Sequence, residues 1–520
     1  MFQVRILPRN AALVLLVAIV GLALRWPHLN NRLFTSDAAD YVRAARTPPA
    51  GIYCDSHSVS LPTLIRLLRA PETHGHLWDY LYRRQDNAAL RHFHVPVSFY
   101  VASAVHARGG EDRAQRVVAS LAGALTGAIV TGGLLYLGAP SAACLLAGIL
   151  TVADTRGIEV TTEVSPHTWY ILFALSCLMA AALSLRGDSR FLGRVALVCL
   201  ALAIATIEFA PLLIVAFVLA AVLGRLLSLP DAGKLLPTPP FPWLGRTLVG
   251  LGMFLFVLWP AGFFKGGYVV SYGFLNIALP LLHSTSYYGP AAPVAILRNF
   301  LGHHEALLLL CAGAVLGAAA GLLTRKIQVD SLLFGCYTLA AFLFSAGGRF
   351  LYPAYAAEVV VFLAVFAALV WRDVASSTKP AARRLVHACA LVVFLLASGQ
   401  AVWSAWRTPP KDDPLAAVVR DFRDQVPSTE PVLVNDINDG STYYLYLPSY
   451  TFELTTDSAS LTPRRHEMEP SIRYALLNTG LLTADQRLRL SAEFEILRAY
   501  RRSPPGLETI LARKRLPSPQ

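Results

Sequence analysis

Asp37 stands about a dozen positions beyond the end of an apolar run, Ala11 to Leu24, within Ser36-Asp37-Ala38-Ala39-Asp40-Tyr41. A carboxylate just outside a membrane, at the head of a long polar segment, is placed to act on a lipid headgroup. The alternative is a helix N-cap, because Ser and Asp ahead of a short helix satisfy its free amide donors. Asp40 is the second acid of the pair.

Cations follow on the same polar side. Arg113 and Arg116 open the next apolar stretch, where a guanidinium can hold a lipid phosphate through charge-assisted hydrogen bonds. They can equally pair with Glu111 and Asp112. Arg349, in Gly348-Arg349-Phe350-Leu351-Tyr352-Pro353, lies between a small-residue turn and a long apolar run. It either snorkels to the interface or stabilises negative charge on a departing phosphate. Lys265, with His283, Tyr287 and Tyr288, offers further candidates for the same cavity.

Arg156, Glu159, Glu163 and His167 cluster in one short segment. Ionisable groups at membrane depth face a partner or an aqueous cavity. The bland arrangement pairs Arg156 with Glu159 or Glu163; the functional one brings Glu163 or His167 beside Asp37. His92-Phe93-His94-Val95-Pro96 closes the first polar segment, which also holds Asp55, His57, His74 and His76. A divalent metal is one reading of these His residues and an interfacial loop end the other; the sequence requires no metal or other cofactor.

The elements that must position these residues are membrane helices. The 520 residues are 55% hydrophobic and only 15% charged, with mean hydropathy +0.49, which excludes an ordinary soluble domain. The first apolar run follows Arg5 and Arg9, lacks a small-residue cleavage site and leads into Arg25-Trp26-Pro27-His28, so it reads as a retained span rather than a cleaved signal. The net charge of +12 is spread over short connections, which argues for topological signals and against nucleic acid as a partner. Six of the seven cysteines lie in apolar stretches and Cys54 stands alone in a polar one, so neither a disulfide framework nor a CxxC metal pattern is present.

About eleven spans are predicted: Ala11 to Leu24, Ala114 to Tyr136, Ser141 to Ala153, Thr168 to Leu185, Val195 to Phe209, Ala210 to Leu223, Thr247 to Phe263, Ala306 to Leu323, Ser331 to Ala346, Leu351 to Val370 and Leu385 to Val402. With that count the basic connections, from Arg5 and Arg9 through Arg186, Arg225, Lys234, Arg325 and Lys326 to Arg372, Lys379, Arg383 and Arg384, all fall on one side. Because Lys and Arg accumulate in cytoplasmic loops, a bacterial inner membrane with a cytoplasmic N-terminus is expected. The stretch from Val195 to Leu223 must then cross twice, breaking at Glu208-Phe209-Ala210-Pro211. The other side receives the long segment from Arg25 to about Arg113, the segments Asp154 to His167 and Phe264 to Glu305, the turn at Gly347 to Arg349, and everything after Val402. Val95 to Val105 is too short to span and reads as a helix lying on the membrane surface.

The expected fold is therefore mainly α: a polytopic bundle over 1–407 and a small extracytoplasmic α/β domain over 408–520. In that domain Pro431 to Val434 and Thr451 to Thr455 read as strands, Ser441 to Leu447 as a helix or strand, and Ala484 to Tyr500 as a helix.

Taken together, the motifs resemble those of the polytopic GT-C glycosyltransferases, in particular bacterial relatives of dolichyl-phosphate-mannose protein mannosyltransferases and of the lipid A aminoarabinose transferase. Asp37-Ala38-Ala39-Asp40-Tyr41 matches that family's outer-loop Asp-Glu-x-x-Tyr, His94-Val95-Pro96-Val97 its His-Pro-Pro-Leu, Arg113 or Arg116 its Arg at the head of the next span, and Arg349-Phe350-Leu351-Tyr352-Pro353 its Arg-Tyr-x-x-Pro. Ala38, Val95 and Phe350 depart from the pattern, and the loss of an acid at 38 weakens the argument for a metal. The resemblance implies inverting transfer of one sugar from a polyprenyl-phosphate donor to an envelope glycan, lipid or protein. Asp37 would be the general base, and Arg349 with Arg113, Arg116 or Lys265 would hold the leaving phosphate.

Two other functions fit a basic, many-span chain. A lipid or glycan transporter should show paired halves or interrupted helices near the bilayer midplane; no such pairing is visible, and the candidate polar residues concentrate on one face. A catalytically silent assembly subunit would use the terminal domain as its binding module.

Overall fold

The computed structural model describes residues 8–29, 33–34, 36–53, 95–109, 112–187, 189–207, 209–235, 240–260, 305–347, 353–409, 414–454, 472–501 and 508–515. Residues 36, 37, 240–244, 346, 347, 353, 414, 437–441, 453 and 454 are described by their backbone alone.

Each of the eleven apolar runs has a helix at its centre among the described residues. They form α1 (Pro8–Arg25), α4 (Asp112–Tyr136), α5 (Ser141–Ala153), α7 (Pro166–Gly187), α8 (Arg190–Ile204), α9 (Leu212–Leu226), α10 (Pro240–Leu258), α11 (Glu305–Leu323), α12 (Val329–Gly347), α13 (Pro353–Ser377) and α14 (Pro380–Arg407). Among the described residues α2 (Ser36–Ala44), a short helix at Pro49–Tyr53 and α3 (Val97–Ala107) precede α4. Among the described residues α1, α4, α7, α11, α13 and α14 are each long and apolar enough to cross a membrane, and the chain is a multi-pass membrane protein. The α8 and α9 pair has 15 residues in each helix, about 22 Å of rise, short of the roughly 30 Å hydrocarbon core. Their break falls where expected: α8 ends at Ile204, and Pro211 caps α9.

The segment after Asp154, expected as a loop, is instead a helix, α6 (Thr155–Thr162), bent 53° from α5. Asp154 causes the bend. Its extended backbone ends α5, and its carboxylate caps α6 by accepting from the Gly157 amide at 3.0 Å.

Small residues draw α1, α4 and α5 together. A Cβ on Gly127 would lie 2.2 Å from Val152, and one on Gly148 would lie 2.0 Å from the Thr131 hydroxyl oxygen. The long helix α13 is buried along most of its apolar length, whereas α1, α11 and α14 are largely exposed.

The two ends of the bundle differ in chemistry. At one end Arg372 donates to both Asp330 oxygens at 2.9 and 2.8 Å, to Asp373 at 2.7 Å and to the Leu137 carbonyl at 2.9 Å. Arg186 joins Asp330 at 2.9 Å, while Asp373 accepts from the Ser331 hydroxyl and the Gln328 amide. Four helices are thereby tied at the end where the sequence gathers its basic loops. At the other end α3 laces the bundle: the Val97 amide donates to the Ala205 carbonyl, Tyr100 to Leu258, and Gln115 to Ala102.

Beyond α14, the helices α15 (Pro414–Gln425), α16 (Ile437–Tyr446) and α17 (Ala484–Glu493) accompany a five-stranded sheet. Its strands are β1 (Val432–Val434), β2 (Phe452–Leu454), β3 (Tyr474–Asn478), β4 (Phe494–Arg501) and β5 (Glu508–Lys514), in the order β2-β1-β3-β5-β4. The first three pair in parallel and β5 runs antiparallel to β3 and β4. The helix expected over Ala484 to Tyr500 stops at Glu493, and the remainder is β4. A capping box at Thr483 and Gln486 starts α17; its end is set by Phe494 and Tyr500, which bury as β4 pairs with β5. Ladder pairing with a distant strand overrides the local helical preference of Leu, Arg and Ala.

Candidate active site at the mouth of the bundle

Asp37 lies in the first turn of α2. The rest of that helix shows why the chain folds there. Ala38, Ala39 and Val42 bury in one cluster with Phe34, Ala119 of α4, Val164 and Leu445 of α16. Ala38, only 6% exposed, occupies the position at which the resembling family carries an acid. Small side chains let α2 seat closely, and a carboxylate at 38 would enter an apolar contact. Asp40 is buried and bonded to Arg43 at 3.2 Å, and Arg43 lies 5.1 Å over the Tyr444 ring. Tyr41 packs on Phe99 of α3.

Arg116 is 3% exposed, and its guanidinium holds protein rather than standing open to a ligand. Its Nε donates to the Thr162 carbonyl at 3.0 Å and its Nη2 to the Leu33 carbonyl at 3.1 Å, and the group stacks 4.1 Å over Phe34. It thus fixes the two residues that lead into α2. Arg113, on the same helix, is exposed and rests 5.8 Å over the Trp26 ring, which leaves its outward edge to solvent. Asp112, expected as a partner of these arginines, instead accepts from the Tyr446 hydroxyl of the C-terminal domain. That hydroxyl also accepts from the Phe34 amide at 2.8 Å. Burial, and next the Asp112 charge, push the Tyr446 hydroxyl well above the ordinary tyrosine range, so it remains a donor.

Glu163 ends α6 beside Val164, whose φ of 57° is a strained left-handed conformation for a β-branched residue. Val164 belongs to the cluster under α2, so the fold brings the Glu163 turn against the helix of Asp37. His167 goes elsewhere. Its buried ring sits 5.1 Å from Tyr355 and 5.5 Å from Phe209, at the start of α13. Arg156 pairs with Asp154, the carboxylate that caps α6, at 2.8 Å. His94, Lys265 and Arg349 lie outside the described residues, as do Asp55, His57, His74 and His76. Among the described residues no group of three or more His, Cys, Asp or Glu could hold a metal ion.

Two buried polar groups escape sequence reasoning. Arg25, 1% exposed, ends α1 by donating to Thr161, Gly21 and Val152 at 2.9 to 3.0 Å. Gly123 makes the room, since a Cβ there would lie 2.9 Å from the Arg25 Nε. Glu358, 2% exposed, accepts from the Tyr337 hydroxyl, which also bonds Tyr170, joining α13, α12 and α7 just below the His167 aromatic cluster. An isolated acid in the apolar run Ala354-Tyr355-Ala356-Ala357-Glu358 was the signal for it.

This architecture matches that of solved structures along its whole length. ArnT from Cupriavidus metallidurans bound to undecaprenyl phosphate superposes with a TM-score of 0.58 at 14% identity, covering 97% of both chains. The apo state of the same protein gives 0.59 at 13% identity, over 96% of this chain and 98% of that one. The chain has the ArnT fold. The ArnT-like likeness embraces the C-terminal domain together with the bundle, and it is the fold that the GT-C resemblance led one to expect. No family model and no curated protein sequence matches the chain.

Proposed function

We propose that this chain is a membrane glycosyltransferase that moves one sugar from a polyprenyl phosphate to a hydroxyl acceptor, with inversion, at the end of the bundle that carries the C-terminal domain. The observation that carries the proposal is the end-to-end ArnT-like fold, together with the undecaprenyl phosphate bound by that neighbour. The prenyl chain stays in the bilayer while the sugar projects towards α2. Asp37 takes the acceptor proton as the acceptor oxygen attacks the anomeric carbon from the side opposite the phosphate. The bond from that carbon to the phosphate oxygen breaks, and the polyprenyl phosphate leaves with the electron pair.

A general base of this kind contributes a rate factor of ~10² to 10⁴. Arg349, Arg113 and Lys265 neutralise the leaving phosphate, while Arg116 supports the reaction by holding the approach to α2. Glu163 and His94 line the sugar side, and the Asp40–Arg43 pair braces its wall. The acceptor is an envelope glycan, lipid or protein, the sugar a hexose or pentose, and the location a bacterial inner membrane with the N-terminus in the cytoplasm and the C-terminal domain outside. The segregation of basic residues to the opposite end supports that orientation.

The test is Asp37→Asn assayed for glycan transfer from a polyprenyl-phosphate sugar in membranes, with mass spectrometry of envelope glycans after deletion of the gene. Transfer should fall by about two orders of magnitude or more. An unchanged rate would remove Asp37 from the chemistry, and unchanged glycans on deletion would remove the transferase reading itself.

A further inference from the structure

Three membrane helices leave an open apolar groove at the end of the bundle remote from the C-terminal domain. Gly313 and Gly317 of α11, Val370 and Val374 of α13, and Cys389 and Val393 of α14 form its walls, enclosing a cavity volume of about 240 Å³. A Cβ at Gly313 would meet no atom within 4 Å, so the floor is not filled by another part of the described chain. The lining face of α13 runs from Ala367 to Val374 and the helix ends at Ser377. At 1.5 Å per residue the groove therefore lies about 5 to 15 Å below the helix end, the depth of one leaflet of a roughly 30 Å hydrocarbon core.

The mouth of this groove is cationic. Arg325 and Lys326 follow α11, and Lys379, Arg383 and Arg384 open α14; all five are exposed. Lys326 donates to the Ser377 carbonyl at 3.3 Å and Arg383 to the Thr378 carbonyl at 3.4 Å, which sets two of the charges over the last turn of α13. Among the described residues none of the five has a carboxylate partner. The nearest acid on α13, Asp373, is buried and bonded to Arg372 and Ser331. Trp371 donates to His387 at 2.9 Å and ties the α13 and α14 walls together.

We propose that the groove is a binding site for one anionic phospholipid of the leaflet facing away from the C-terminal domain, with an acyl chain between α11 and α14 and the phosphate on Lys326, Arg383 and their neighbours. Uncompensated cations above an apolar interhelical groove select a lipid with net negative charge. A zwitterionic lipid brings its own ammonium to the same place and gains less. A polyprenyl phosphate whose sugar must reach α2 carries its phosphate at the other end of the bundle, so these charges do not serve it.

The test is native mass spectrometry of the full chain in detergent, titrated with phosphatidylglycerol or phosphatidylethanolamine of identical acyl chains. One phosphatidylglycerol should be retained at a concentration roughly tenfold lower than phosphatidylethanolamine. That preference should disappear in Gly313→Leu, which fills the groove, and in the combined Lys379→Gln, Arg383→Gln and Arg384→Gln variant, whose exposed substitutions leave the folded core untouched. Equal retention of the two lipids overturns the proposal. So does a preference that survives both variants, or competitive displacement by undecaprenyl phosphate, which would make the prenyl chain the occupant.

Discussion

The hydroxyl of Tyr446, in the C-terminal domain, donates to the carboxylate of Asp112 at the head of α4 while accepting from the Phe34 amide. One side chain thus links the extramembrane domain, the second span and the approach to the helix of Asp37. Arg116 grips the same approach from the membrane side through the Leu33 carbonyl. The position of α2 is therefore fixed from both directions.

Tyr446→Phe keeps the ring and deletes both bonds, leaving Asp112 without its donor. A loss of about 1 to 3 kcal/mol in local stability is expected, visible as faster amide exchange across residues 36–44, with unchanged exchange at α13. Because burial raises the pKa of this tyrosine above its usual 10.0, the folded state holds the proton more tightly than the unfolded one. The stabilisation is complete below the ordinary tyrosine range and is lost as the pH rises above it, so the protection of α2, taken relative to the base-catalysed exchange of an unfolded chain, should not change between neutral pH and pH 9.

Arg113→Gln and Arg116→Lys should separate by kind. The first removes an exposed cation and is expected to raise KM for the lipid donor several-fold with the thermal midpoint unchanged. The second preserves charge but loses the planar fork that reaches two carbonyls, and should lower the thermal midpoint and kcat together. Donor kinetics with thermal scans of both proteins decide the matter; equal effects on KM would contradict this division of labour.

Ala38→Glu restores the acid found at this point in the resembling family's motif. Here it should destabilise the protein by several degrees rather than increase transfer, because position 38 is buried among Phe34, Val164 and Leu445. A stable, more active variant would show that α2 can rotate.

Glu358→Gln retains an acceptor for Tyr337 and should be close to neutral in thermal stability. Glu358→Leu leaves the bonded hydroxyl pair of Tyr337 and Tyr170 one acceptor short, at a cost of about 1 to 3 kcal/mol for the buried group left unsatisfied. The comparison in detergent reads directly on whether this trio joins α7, α12 and α13.

Arg372→Met strips the common partner from Asp330 and Asp373, whose side chains are 4% and 2% exposed. Removing one member of a buried ionic cluster typically costs about 3 to 5 kcal/mol, and the expected result is loss of folded protein from membranes. Normal yield and melting would mean that the cluster is dispensable.

What the sequence determined by itself is the set of elements that depend on local composition. Each apolar run became a helix because, in a bilayer, the chain must satisfy its backbone polar groups within the segment. The break at Pro211 followed from proline's missing amide, and the gathering of basic residues at one end from the charge bias of short loops. Asp37 at the head of α2 was legible for the same reason.

Tertiary structure alone decided which charges are free. Nothing adjacent in sequence tells Arg116 from Arg113; the difference arises because one faces the carbonyls of Leu33 and Thr162 and the other the Trp26 ring. The conversion of residues 494–500 from expected helix to strand likewise required β5 as a partner. The docking of Tyr446 on Asp112 joins residues 334 positions apart, a pairing that no local propensity encodes, since long-range contacts form only where packing brings both partners out of water together.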